Sequence, residues 1–206
     1  MDRRLALGAA LGAPLLFLLL WAASSATSPL AGWALGLLAY WAALALAISR
    51  RMDGDTAWQL SRLVSPGRLI AVAMALPVLV LGAATLRLMD QSPVPAVLLL
   101  AAGMGALVNG TLEELFWRGA LLPRPTPRAA AGALLLFALF HFAWEGARGL
   151  DTGGPFGSAV LGALVMGGAW TAARLASGTV GAAIFGHAAF NLFAFIMVVA
   201  RNAPAG

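Results

Sequence analysis

Seven apolar stretches, each near the roughly 20 residues that a helix needs to cross the hydrocarbon core of a bilayer, dominate this chain. They run at about Leu5–Ala23, Leu30–Ile48, Leu69–Leu86, Pro95–Leu122, Ala129–Trp144, Phe156–Leu175 and Val180–Ala200. Most breaks between them carry turn chemistry: Ser28-Pro29, Ser65-Pro66-Gly67, Ser92-Pro93, Pro123 to Pro127, Gly153-Gly154-Pro155 and Ser177-Gly178. No gap is long enough for a soluble domain. The pattern predicts an all-α integral membrane protein with about seven transmembrane helices.

Composition agrees with that class and removes several functions. Apolar residues make up 61% of the chain and charged residues only 10%, against about 25% charged in an ordinary soluble domain. The absence of cysteine excludes disulfides, thiolate nucleophiles and Cys-type zinc sites. All 13 basic residues are arginine, which, with so much Ala and Gly, reads as codon bias in a GC-rich genome. They stand singly or in pairs at helix ends and form no basic face, so nucleic acid is not a partner despite a pI near 11.5.

Those arginines set an orientation. With the N-terminus inside, the inner loops and ends hold Arg3, Arg4, Arg50, Arg51, Arg62, Arg68, Arg124, Arg128 and Arg174, and the outer side only Arg87, Arg148 and Arg201. The positive-inside rule favours N-in, C-out, in what reads as a bacterial cytoplasmic membrane. The first span also matches signal-peptide grammar, with Arg3-Arg4, an apolar run and Ala22-Ala23-Ser24-Ser25-Ala26, although its run exceeds the usual ~7–15-residue apolar region.

Against this background, Glu113, Glu114 and Arg118 stand out inside the fourth stretch. An ionisable side chain at mid-bilayer costs about 2.5–3.5 kcal/mol even on the lenient insertion scale, so such a group marks a functional site by default. The only two histidines, His141 and His187, lie in later stretches. Counted at ~1.5 Å per residue from the near boundaries Pro123, Ala129 and Thr179, Glu113, His141 and His187 lie at depths of roughly 15, 18 and 12 Å. Three helices therefore bring polar groups to one level. His187 and Asn191 are four apart and share a face, as do Phe137 and His141; Glu114 and Arg118 are spaced and ordered for an i,i+4 ion pair. Pairing Glu114 with Arg118 leaves Glu113, rotated by about 100°, free to face a cavity. A carboxylate with two imidazoles can activate water as a general base or hold a divalent metal that does so.

Plainer readings exist for each residue. Thr111-Leu112-Glu113-Glu114 after Asn109-Gly110 fits a capping box at a helix start. A lone membrane histidine often serves as an interhelical hydrogen-bond partner, but both sit at the level of the buried acids. Glu145, one turn past His141, could join the site but falls nearer the outer loop and reads more readily as a solvated helix end, and the tryptophans read as belt or packing residues. Other hydrolase patterns are absent. There is no His-Glu-x-x-His, Asp53-Gly54-Asp55 reads as a loop without the Gly-x-Gly-Asp of aspartyl proteases, and neither Ser158 nor Ser177 sits in a serine-nucleophile motif. No clear transporter-type repeat is visible.

Three segments together resemble the CPBP (ABI) intramembrane proteases, the family that unites type II CAAX prenyl endopeptidases and bacteriocin-processing proteins. They are Glu113-Glu114-Leu115-Phe116-Trp117-Arg118, Phe137-Ala138-Leu139-Phe140-His141, and His187-Ala188-Ala189-Phe190-Asn191. The resemblance covers roughly Val94 to Ala200 and divides a single membrane domain into N-terminal helices 1–3 (1–93) and a core (94–206). It implies a conical helix-bundle core with a cytosol-accessible polar cavity, in which Glu113 and His141 activate the attacking water. It further implies that His187 and Asn191 stabilise the oxyanion, while Glu114 and Arg118 support and orient the site. The motifs leave open whether a divalent ion such as zinc is used; its ligands would be Glu113, His141 and His187, with Glu114 the only remaining base.

The leading expectation is an intramembrane endopeptidase acting on a protein or peptide substrate that enters a cavity within the lipid bilayer. A non-proteolytic binding, immunity or scaffold protein on the same fold is the alternative. A proton-coupled transporter is a third reading, because buried Glu and His also mark ion pathways.

Overall fold

The computed structural model describes residues 1–203. These residues form eight helices and, among the described residues, no strand. They are α1 (Arg3–Ala26), α2 (Pro29–Ser49), a short α3 (Gly54–Leu60), α4 (Arg68–Gln91), α5 (Ala96–Glu114), α6 (Pro127–Phe140), α7 (Ser158–Ser177) and α8 (Gly181–Asn202). Helix α5 continues as a π-helical turn over Leu115–Ala120, and α6 as a 3-10 turn over His141–Gly146. Counting those extensions, seven helices are long and apolar enough to cross a membrane, at the positions expected from the sequence. Large apolar side chains such as Leu69, Val97 and Phe185 point outward, each at least 70% exposed, as lipid-facing residues must.

Sequence chemistry sets the helix starts. Asp2, Ser28, Asp53 and Thr126 each accept a backbone N–H at an N-terminus, satisfying donors that a helix cannot pair internally. Asp53 is a correction: the Asp53-Gly54-Asp55 segment is no loop, since Asp53 caps α3 by accepting from Thr56 N–H at 2.7 Å.

The bundle has two distinct ends. At the end bearing the N-terminus, Asp2 N–H bonds Leu121 O at 2.8 Å, Asp2 pairs with Arg51 at 3.2 Å, and Val180 N–H bonds Leu60 O at 2.8 Å. At the opposite end, Arg201 pairs with Asp151 at 3.2 Å and Arg148 lies 5.8 Å over the Trp21 ring. Glycine permits a close helix crossing at the polar residues. A Cβ on Gly110 of α5 would lie 2.7 Å from the Ala188 backbone nitrogen of α8, so these two helices meet backbone to backbone where the polar residues are.

Candidate active site

The capping-box reading of Glu114 is overturned, because Glu113 and Glu114 lie at the C-terminal end of α5, not at a helix start. They are 1% and 0% exposed, and Arg118 is 2% exposed. The expected ion pair is present: Arg118 Nη1 donates to Glu114 Oε1 at 2.9 Å. The π turn places Arg118 against α7, where it also donates to Gly167 O at 3.0 Å and Thr171 Oγ1 at 3.3 Å. Its guanidinium lies 4.2 Å over the Phe137 ring, an attraction strengthened by exclusion of water.

Arg174, taken from the sequence as an orientation signal in a loop, is instead buried. Its Nε donates to Arg118 O at 3.1 Å and its Nη1 to Gly178 O. It thus satisfies a carbonyl in the widened turn of α5 and one at the end of α7. Gly167, Trp170, Thr171 and Arg174 form one face of α7 at helical spacing, and that spacing is the signal by which sequence reasoning could have found them.

His187 joins the pair from α8. Its Nδ1 lies 2.8 Å from Glu114 Oε1 and its Nε2 3.5 Å from Glu113 Oε2, while its ring stacks on Trp170 with centroids 3.7 Å apart. Both ring nitrogens therefore face carboxylates.

His141 is positioned by the tightening of α6. Where the helix becomes a 3-10 turn, His141 N–H bonds Ala138 O and Leu139 O, so the Phe137 carbonyl is left for the side chain. His141 Nδ1 lies 2.8 Å from that oxygen. A carbonyl only accepts, so Nδ1 carries the proton and Nε2 is the acceptor.

Glu113, His141, His187 and Asn191 all line one cavity of about 450 Å³. Within it, Glu113 Oε2, Asn191 Nδ2 and Trp170 Nε1 are buried polar atoms without a hydrogen-bond partner in the protein. Asn109, missed in the sequence reading, also lines the cavity; its Oδ1 accepts from Trp41 Nε1 of α2 at 2.8 Å. Behind the site Trp117 Nε1 donates to the Tyr40 hydroxyl at 3.1 Å. Glu145 stands apart, half-buried at the end of the 3-10 turn, where it accepts from Gly157 N–H at 2.8 Å.

The residues present do not make the three-ligand metal site considered for Glu113, His141 and His187. Among the described residues no group of three or more His, Asp or Glu side chains stands close enough together to hold a metal ion.

The cavity runs toward one end of the bundle. Its lining runs from Glu113, Trp170 and His187 to Thr152, Gly154 and Ser158 at the end opposite the N-terminus. Beneath the site Trp117, Leu121, Leu122 and Val180 are all 1% exposed or less.

No curated protein and no solved structure matches the chain. A family model does, that of the Rce1-like, type II CAAX prenyl endopeptidases, over residues 93–193. That span contains all three motifs and each polar residue of the cluster, and the match supports a relationship to the CPBP and CAAX-type membrane proteases.

Proposed function

We propose that this protein is an intramembrane endopeptidase that hydrolyses a peptide bond with water activated between Glu113 and His141. The observation that carries the reading is that two atoms of the cavity lining lack a hydrogen bond within the protein and differ in kind: a carboxylate oxygen of Glu113, which can only accept in its ionised form, and the amide nitrogen of Asn191, which can only donate. Peptide hydrolysis needs one group of each kind, a base for the nucleophile and a donor for the oxyanion.

The chemistry balances with these residues. Water, held by Glu113 and by the acceptor Nε2 of His141, gives a proton to Glu113 as its oxygen bonds to the scissile carbonyl carbon. The carbonyl oxygen becomes an oxyanion and accepts from Asn191 Nδ2. Collapse re-forms the carbonyl and breaks the C–N bond, and the proton taken up by Glu113 passes to the leaving amine. The products are a carboxylic acid and an amine. His187 supports the oxyanion end from its place between the carboxylates, and Glu114 and Arg118 hold that imidazole in position. The prenylated substrates in the name of the matched family are not required by any of these steps.

Substrate trapping tests the proposal. In membranes of cells carrying Glu113→Ala in place of the wild type, specific full-length membrane proteins should accumulate and copurify with the variant. An unchanged membrane proteome, with no copurifying protein, would favour the alternative of a non-proteolytic scaffold.

A further inference from the structure

Asn109 is buried and lines the cavity one helical turn before Glu113 on α5, on the same face and about 6 Å away along the axis. Its partner fixes how the amide is turned. A tryptophan N–H only donates, so the Asn109 atom 2.8 Å from Trp41 Nε1 is the oxygen, and Nδ2 is turned away from Trp41. The indole is itself held in place, because Gly105, one turn earlier in α5, gives it room: a Cβ there would lie 3.4 Å from Trp41 Cη2 and 3.5 Å from the Phe195 ring. Among the described residues Asn109 Nδ2 donates to no acceptor, and unlike Asn191 Nδ2 it is not fully enclosed. The space it reaches is the cavity that its side chain lines.

Helices α5 and α8 run antiparallel, with Glu113 beside His187, Gly110 against Ala188 and Gly103 near Leu192. Asn109 and Asn191 therefore stand on the same side of the Glu113–His187 pair, one on each helix. An extended peptide presents carbonyls to one side at every second residue, about 6.5–7 Å apart, close to the rise from Glu113 to Asn109. We infer that Asn109 Nδ2 binds a main-chain carbonyl of the substrate two residues from the bond to be cut, while Asn191 takes the scissile carbonyl. The inference rests on the protease reading and deepens it by naming the substrate class. A carbonyl inside an α-helix already accepts from its own helix, so the substrate is a polypeptide segment unwound over that stretch and recognised there by its backbone. Leu37, Met166, Phe190 and Phe195 give the cavity apolar walls, which suit apolar side chains on that segment. Trp41, from outside the matched span, is a positioning residue that acts through Asn109.

The chain has only three asparagines, Asn109, Asn191 and Asn202, so asparagine-selective nitrogen-15 labelling gives three side-chain amide signals, each assigned by its loss in a single-site variant. Asn202 Nδ2 already donates to Asp151 O and Val198 O and serves as the internal control. The probe is a capped apolar tetrapeptide, acetyl-Leu-Ala-Leu-Leu methylamide, added to Glu113→Gln in detergent so that it is not cut. Binding should move the Asn109 and Asn191 signals and leave that of Asn202 in place. Movement of Asn191 without Asn109 would overturn this inference alone, whereas movement of neither would also overturn the peptide-binding cavity on which the protease reading depends. Kinetics supply the second measurement. The double variant Trp41→Phe with Asn109→Leu removes both partners of the hydrogen bond and strands neither, so it should melt close to the wild type. With a trapped substrate its KM should rise about tenfold while kcat stays within about twofold, the signature of lost substrate binding. An unchanged KM in a variant that melts like the wild type would contradict the assignment of Asn109.

Discussion

Glu113 and Glu114 are neighbours in sequence with opposite surroundings, because one residue of helix turns a side chain by about 100°. Glu114 is held by Arg118 and His187, while Glu113 Oε2 makes no hydrogen bond within the protein and has only His187 Nε2 at 3.5 Å. That division was legible from the i,i+4 spacing of Glu114 and Arg118. The further partners of Arg118, Gly167 O and Thr171 Oγ1, were not, since a backbone carbonyl and a hydroxyl on another helix carry no periodic signal. Removing one member of a buried ion pair leaves an uncompensated charge and costs about 3–5 kcal/mol. Arg118→Ala should therefore lower the melting temperature in detergent and abolish activity, whereas Arg118→Lys keeps the charge, loses the forked geometry and should fall between it and the wild type. Thermal unfolding of the three proteins by intrinsic tryptophan fluorescence checks this, and equal melting temperatures would remove the ion pair from the account.

At the scale of elements, hydropathy located all seven spans, but it could not show the two departures from α-helix that aim the site. A π turn at Leu115–Ala120 and a 3-10 turn from His141 change hydrogen-bond register without changing apolar content. π turns of this kind often occur at functional sites. The crossing of α5 and α8 was equally hidden, because it depends on where two backbones approach. At Gly110 a Cβ would meet Ala188 backbone atoms at 2.7 and 2.9 Å, whereas at Gly103 on the same helix the nearest atom is the Leu192 Cδ1 at 3.7 Å. Gly110→Ala must separate the helix bearing Glu113 from the one bearing His187 and Asn191, and overpacking of this sort costs about 1–3 kcal/mol. It should lower both the melting temperature and the cleavage rate. Gly103→Ala, in ordinary van der Waals contact, should change neither, and parallel melting and activity measurements on the two variants would show whether this crossing matters.

The whole molecule contributes more to the site than its matched segment. Residues 93–193 carry the motifs, yet Trp41 and Tyr40 of α2 reach Asn109 and Trp117 of the core, and neither contact is visible as a motif because each joins residues far apart in sequence. Trp41→Phe keeps the ring and removes the N–H, leaving the Asn109 oxygen short of a donor at about 1–3 kcal/mol. The expected result is a lower melting temperature with cleavage reduced but present; an unchanged protein would show that the N-terminal helices only surround the core. Activation of water by Glu113 is tested by cleavage of a trapped substrate by purified Glu113→Gln, set beside Asn191→Ala and the unfolding curve of each. Glu113→Gln should melt like the wild type with no measurable turnover, and Asn191→Ala, missing one oxyanion donor, should retain turnover slowed by about 100–1,000-fold. Cleavage by Glu113→Gln at the wild-type rate would contradict the account.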